Sequence, residues 1–121
     1  MIPNISESEL EIMKVLWNAR GDVTTQYINK EVEEYGWKRT TISTFLTRLV
    51  EKKAVSAEKR GSVYYYTPLI SQKEYRKAQT KNLIKSLYNG SIRELAVSLF
   101  TEEKLSEEDI KELRAMLDEE V

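Results

Sequence analysis

The stretch Thr40 to Leu49, TTISTFLTRL, sets four threonines and a serine among Ile42, Phe45, Leu46 and Leu49. Wound at 3.6 residues per turn, it places Ile42, Leu46, Leu49 and then Lys53 along one line, with Thr40, Ser43, Thr44, Thr47, Arg48 and Glu51 on the other side. Hydroxyls both donate and accept, and a guanidinium donates in a fork, so the second face has the equipment to read base edges in a major groove. Lys38, Arg39 and Lys52 flank it, where cations would meet phosphates. Serine and threonine are also common on solvated helices, so the stretch alone leaves both readings open.

Other chemistry is poorly served. The chain has no Cys and no His, which removes the ligands of structural zinc, copper and iron–sulfur sites as well as the commonest nucleophile and general base. Ser56 to Lys59, SAEK, has the Ser-x-x-Lys spacing of penicillin-recognising serine enzymes. That chemistry needs the serine at a helix start so that the amine one turn later reaches the hydroxyl. On a strand, which this segment resembles, residues three apart face opposite ways. The spacing is a coincidence, and the expectation is a protein that is not an enzyme and uses no cofactor and no metal.

Charge narrows the partner. The 19 basic and 20 acidic residues nearly cancel over 121 positions, but they are segregated. Residues 38–60 carry 7 Lys/Arg against 2 Asp/Glu, and 73–93 carry 6 against 1, whereas 1–37 carry 3 against 7 and 102–121 carry 3 against 9. A basic block therefore surrounds the hydroxyl-rich helix. The acidic end reads as a solvated face that offsets the 73–93 block. Neither a membrane-spanning apolar run nor a signal-peptide pattern is present, so a cytoplasmic protein without membrane insertion is expected.

The elements that would position that helix follow from periodicity and caps. Ser followed three residues later by an acid marks helix starts at Ser6/Glu9, Ser71/Glu74, Ser91/Glu94 and, more loosely, Ser106/Asp109. The first helix carries Leu10, Met13, Leu16 and Trp17 and is expected to stop at Gly21; a second, from Thr24 to Tyr35, sets Ile28, Val32 and Tyr35 on one side and ends at Gly36. Residues 55–67 read as two strands around Arg60-Gly61-Ser62, with Lys59 and Arg60 at the tip and Pro68 as the break. Of Tyr64, Tyr65 and Tyr66, the outer pair shares a face, so one set is expected to pack on the third helix and the other to be exposed. Trp17 and Trp37 sit beside core stripes.

Three helices and a hairpin make a winged helix-turn-helix at 1–69. Residues 70–121 are expected to form a three-helix dimerisation domain, because their short amphipathic helices bury too little to stand alone. The stripes include Leu83, Leu87, Leu95, Leu99, Phe100, Leu113 and Leu117. The fold class is mainly α with a small β-hairpin. The expected activity is binding of double-stranded DNA by a homodimer, read by Ser43, Thr44, Thr47 and Arg48 with Thr40 on the same face, and with Arg39, Lys52, Lys59 and Arg60 on phosphates. The alternative is a winged-helix protein-interaction module without specific DNA binding.

The segments SESELEIMKVLW, WKRTTISTFLTRLVEKK, GSVYYYTP and SLFTEEKLSEEDIKELRAML together resemble the BlaI/MecI/CopY family of penicillinase and methicillin-resistance repressors over essentially the whole chain. The resemblance implies a homodimeric winged-helix repressor with C-terminal dimerisation. It also implies relief by a membrane sensor metalloprotease that cuts on the N-terminal side of a matching phenylalanine, here the Leu99-Phe100 bond, where relatives usually carry Asn before the Phe. Three positions depart from the family pattern. Lys38 and Arg39 stand where a small polar residue and Pro are frequent, Ser43 where relatives can carry Arg, and Ala54 where Gly is usual, so strain is expected at Ala54. The copper-responsive branch uses C-terminal Cys-x-Cys pairs, and a chain without Cys cannot.

Overall fold

The computed structural model describes residues 2–102 and 106–120. It divides into two compact units, 1–78 and 79–121, with the boundary inside one helix.

In the first unit, α1 (Glu7–Asn18) starts on a complete capping box. The Glu9 amide donates to Ser6 Oγ at 3.2 Å and the Ser6 amide to Glu9 Oε1 at 2.9 Å. Ile12, Met13 and Leu16 are buried, while Leu10 and Trp17 are half-buried. The Trp17 indole donates to the Ile70 carbonyl at 2.9 Å and its ring lies 5.7 Å from that of Tyr75. Ile70 and Tyr75 thereby join this core, and the unit runs past residue 69 to Ala78.

A two-residue strand β1 (Val23–Thr24) follows, which alternation is too short to reveal. Thr24 then caps α2 (Thr25–Glu31) by accepting from the Tyr27 amide. The helix expected to reach Tyr35 stops at Glu31 and gives way to a 3-10 turn over Glu33–Tyr35, closed by Gly36 at φ 68°. Tyr35 is exposed rather than on the core side.

The hydroxyl-rich helix is α3 (Arg39–Glu51), which buries Ile42, Leu46 and Leu49. Lys53 lies beyond its end. The strain anticipated at Ala54 falls one residue earlier, since Lys53 takes the left-handed conformation at φ 64° while the Ala54 amide closes onto the Leu49 carbonyl at 3.0 Å. Strands β2 (Val55–Arg60) and β3 (Val63–Pro68) form the hairpin in register Val55↔Pro68 to Arg60↔Val63. Gly61 supplies the positive φ of the turn. Pro68 is the last paired residue, and β1 adds to the outer edge of β3 through Val23↔Tyr66. The sheet order is β1-β3-β2, with β3 against α1 and α2 and β2 against α3.

The remaining elements are α4 (Gln72–Leu87), α5 (Ile92–Glu102) and α6 (Glu107–Glu120). Reciprocal Ser–acid bonds open α4 at Ser71/Glu74 and α6 at Ser106/Asp109, and Ser91 Oγ accepts from the Glu94 amide at α5. Asn89 and Gly90 both take positive φ between α4 and α5. No helix among the described residues is long and apolar enough to cross a membrane.

An ion pair joins α1 to the end of α3. Glu9 is 1% exposed, and Lys52 at the end of α3 reaches its Oε1 at 2.6 Å. Burial pushes the Glu9 carboxyl up, but the Lys52 hydrogen bond, the Ser6 bonds and the Lys52 charge together bring it below its ordinary value. Removing the cation strands a buried carboxylate, so Lys52→Met is expected to cost about 2–3 kcal/mol; the half-exposed ammonium keeps this at the low end for a buried pair. Because the folded carboxyl is depressed, its contribution is present above the ordinary carboxylate range and lost as pH falls through the folded value. Urea unfolding at neutral pH and on acidification checks both, and the variant should show a weaker acid dependence than the native chain.

Candidate nucleic-acid interface

The outward face of α3 is built from Thr40, Ser43, Thr44, Thr47 and Arg48, all exposed. Its chemistry is narrower than the sequence suggests. Thr44 Oγ1 donates to the Thr40 carbonyl at 3.0 Å and Thr47 Oγ1 to the Ser43 carbonyl at 2.9 Å. With their protons committed to the preceding turn, these two threonines present lone pairs and methyl groups outward. Such a pair suits amino groups of bases and thymine methyls, while Arg48 is the donor on this face that suits guanine.

The start of α3 is electrostatically unusual. Its cap residue, Lys38, makes no side-chain bond to the first turn, and no acid lies there, whereas α1, α4, α5 and α6 all carry acids in theirs. Lys38 and Arg39 instead add positive charge to a terminus whose amides are already positive. That arrangement is unfavourable alone and favourable beside an anion.

The turn leading into α3 is held by aromatics. Tyr35 stacks on Trp37 with centroids 4.7 Å apart, and Trp37 meets the half-buried Phe45 edge-on at 5.2 Å. The Tyr35 hydroxyl donates to Glu11 Oε2 at 2.8 Å, tying the turn to α1. This bond and then the Lys14 bond hold the Glu11 carboxyl below its ordinary value, and Glu11 in turn raises the Tyr35 phenol. Between α2 and the start of α3 lies an open cleft of about 710 Å³, lined in part by Gln26, Asn29, Lys30, Trp37 and Arg39. The sequence signal for the α2 side of the cleft is the polar i, i+3, i+4 spacing of Gln26, Asn29 and Lys30.

The expected phosphate contacts fall into two groups. Among the described residues Lys38, Arg39, Arg48 and Lys59 have no ion-pair partner. Lys52 is committed to Glu9, and Arg60 to Asp22 and Glu58. The hairpin separates its two tip cations. Val55, Ala57 and Lys59 share a face with Pro68, Tyr66 and Tyr64, and the Tyr66 end of that face packs on the core. Tyr64 stacks along Tyr66 at 6.4 Å and is 45% exposed, with Lys59 Nζ 5.8 Å above its ring. Arg60 lies on the opposite face, over Tyr65 at 4.3 Å. Tyr66 of the tyrosine pair packs on the core while Tyr64 is exposed, and Tyr64 emerges as a further surface candidate. Ser56 and Lys59 both lie on β2, on opposite faces.

The penicillinase repressor family model matches residues 5–119. The chain belongs to this family. It is a transcriptional repressor by family and not an enzyme. It is 35% identical to the penicillinase repressor of Bacillus licheniformis over 118 residues, covering 98% of this chain and 92% of that one. It is 28% identical to the methicillin resistance regulatory protein MecI of Staphylococcus aureus strain N315 over 113 residues, covering 93% and 92%. The solution structure of the monomeric Bacillus licheniformis BlaI in complex with the blaP half-operator matches at a TM-score of 0.53 and 41% identity, over 62% of this chain and 92% of that one. The winged helix-turn-helix architecture is thus shared at a level where sequence and fold agree.

In the second unit, Leu83 and Leu87 are exposed, Leu95 is buried within its own chain and Leu99 is half-buried. The side chains of Phe100, Leu113 and Leu117 lie outside the described residues.

Proposed function

We propose that the chain represses transcription by binding a dyad operator as a homodimer, with α3 in the major groove and the Lys59/Tyr64 face of the wing on the backbone. The observation that carries this is the start of α3, where free cations and uncapped amides adjoin an outward face of acceptors, methyls and Arg48. That the Bacillus licheniformis relative forms a complex with the blaP half-operator supports operator DNA as the partner. A protein-docking module would keep the fold but has no need of two cations at an uncapped helix start.

Each free cation that meets a phosphate releases a counterion, so the logarithm of affinity should fall linearly with the logarithm of salt. Arg39→Gln is expected to reduce the slope by about 0.9, whereas Lys52→Gln, whose cation is held by Glu9, should leave it unchanged. Titrations of duplex from the chain's own upstream region against random duplex, at several salt concentrations, check this. Equal affinity for both duplexes at physiological salt would refute specific repression.

The exposed Leu83, Leu87, Ile92 and Val97 of the second unit, at 43, 68, 37 and 52% exposure, are the apolar surface a second copy would cover. Two-fold symmetry then sets half-sites about one helical turn apart or a multiple of it. A fragment of residues 1–78, which keeps Ile70 and Tyr75 in its core, should fold as a monomer and bind the operator at least tenfold more weakly for want of the second half-site. Sedimentation velocity with operator titration reads both mass and affinity.

Derepression is proposed to follow cleavage of the Leu99-Phe100 bond by a membrane sensor metalloprotease. That bond lies within α5, so the helix must open locally before a protease can bind it in extended form. Severing it would detach α6 and weaken the dimer, which lowers occupancy of a two-site operator by mass action. Mass spectrometry of the chain from cells carrying its genomic neighbours, before and after β-lactam exposure, should show a break at that bond. An intact chain on an active promoter would rule the route out.

A further inference from the structure

Arg60 occupies the place in the wing where a phosphate contact is expected, yet its guanidinium is already engaged on three sides. It donates to Asp22 Oδ2, to Glu58 Oε1 at 3.2 Å and to Glu58 Oε2 at 3.1 Å, and it lies 4.3 Å over the Tyr65 ring. Asp22 lies just before β1, on the far side of β3 from β2, so the side chain bridges the full width of the three-stranded sheet. Two carboxylates against one guanidinium leave this face net negative, the wrong sign for a nucleic-acid backbone. The opposite face carries Lys59 and Tyr64.

We propose that Arg60 is a positioning residue: by clamping the hairpin tip to Asp22, it fixes the pitch of the wing so that Lys59 and Tyr64 meet the operator backbone while α3 is in the groove. A two-stranded ribbon twists freely about its long axis, and β1 braces only the Tyr65–Tyr66 end of β3. Beyond those residues the tip has no further strand beside it, and the bridge to Asp22 supplies the missing restraint. The fork matters, because a planar guanidinium reaches both carboxylates while stacked on a ring, and an ammonium does not. The inference rests on operator binding as proposed above.

The test compares the full chain with Arg60→Lys, Arg60→Gln, Asp22→Asn, the Asp22→Asn/Arg60→Gln pair and Lys59→Gln. Binding is measured on the upstream duplex and on random duplex across salt, at a temperature where circular dichroism shows every variant folded. A clamp predicts that Arg60→Lys fails like Arg60→Gln, each losing on the order of tenfold in operator affinity because the wing no longer engages together with α3. Asp22→Asn should lose a similar factor and the double variant no more than either single one, since both remove one interaction. The salt slope should fall by about 0.9 in all four, as in Lys59→Gln, because a wing that swings away takes the Lys59 contact with it. Rescue by Arg60→Lys, an unchanged slope in Asp22→Asn, tighter binding by Asp22→Asn, or unchanged affinity in all four would each overturn the clamp. Failure of the native chain to prefer the upstream duplex would instead overturn the operator reading itself.

Discussion

A carboxylate buried to 1% exposure is the constraint around which the first unit is organised. Glu9 serves twice: one function is local, closing the Ser6 box at the start of α1, and the other is tertiary, receiving Lys52 from the end of α3. An unpaired charge at that depth is destabilising by about 2–3 kcal/mol, so Lys52 at the end of α3 is held against α1. Anchoring Lys52 fixes where α3 ends. The next residue, Lys53, then accepts a left-handed backbone, and Ala54 and Val55, both essentially fully buried, lead directly into β2. The helix that faces outward with its hydroxyls and the hairpin beside it are therefore both referred to one buried charge.

That pairing also explains why cations could not be sorted by counting them. Residues 38–60 hold seven, and in sequence all look equally available. The structure pairs Lys52 with Glu9 and Arg60 with Asp22, partners 43 and 38 positions away, a separation no periodicity or local motif encodes. What was legible was local. The Ser–acid starts, the Ile42, Leu46, Leu49 stripe and the two-strand alternation all follow from interactions within one turn or one hairpin, and they emerge as expected. The two residues of β1 have no period to reveal them, and helix spacing does not carry to Tyr35 because that residue lies in a 3-10 turn. The separation of Lys59 from Arg60 was available from strand alternation, but the contacts that decide what each does were not.

The start of α3 is a local rule broken in company. Acids near the first turn stabilise a helix, and four of the other helices have them. In α3 the cap is a lysine without a bond to the first turn and the next residue is Arg39, so the helix has given up a fraction of a kcal/mol of its own stability. Tertiary packing compensates. Ile42, Leu46 and Leu49 are buried, the Trp37–Phe45 contact braces the first turns, and Lys52 pins the last. Violations of this kind are expected where a surface is shaped for a partner rather than for the fold.

The two units differ in how completely they bury themselves, and the difference bears on control. The first encloses its core from Ile5 to Tyr75, with α1, α2, α3 and the sheet all contributing. Among the described side chains of the second, Ile84 and Leu95 are buried while Leu83, Leu87, Ile92 and Val97 are open. In the proposed homodimer a second copy covers those open side chains, and the stability of this unit then depends on concentration in a way the first unit's does not. The reading surface would then persist intact whatever happens to the second unit. Its occupancy of a two-part operator would depend on whether the second unit still links two copies, because a linked second contact multiplies the first through effective concentration. Under the proposed assembly, release needs no unfolding of the first unit: losing the link between two copies is enough.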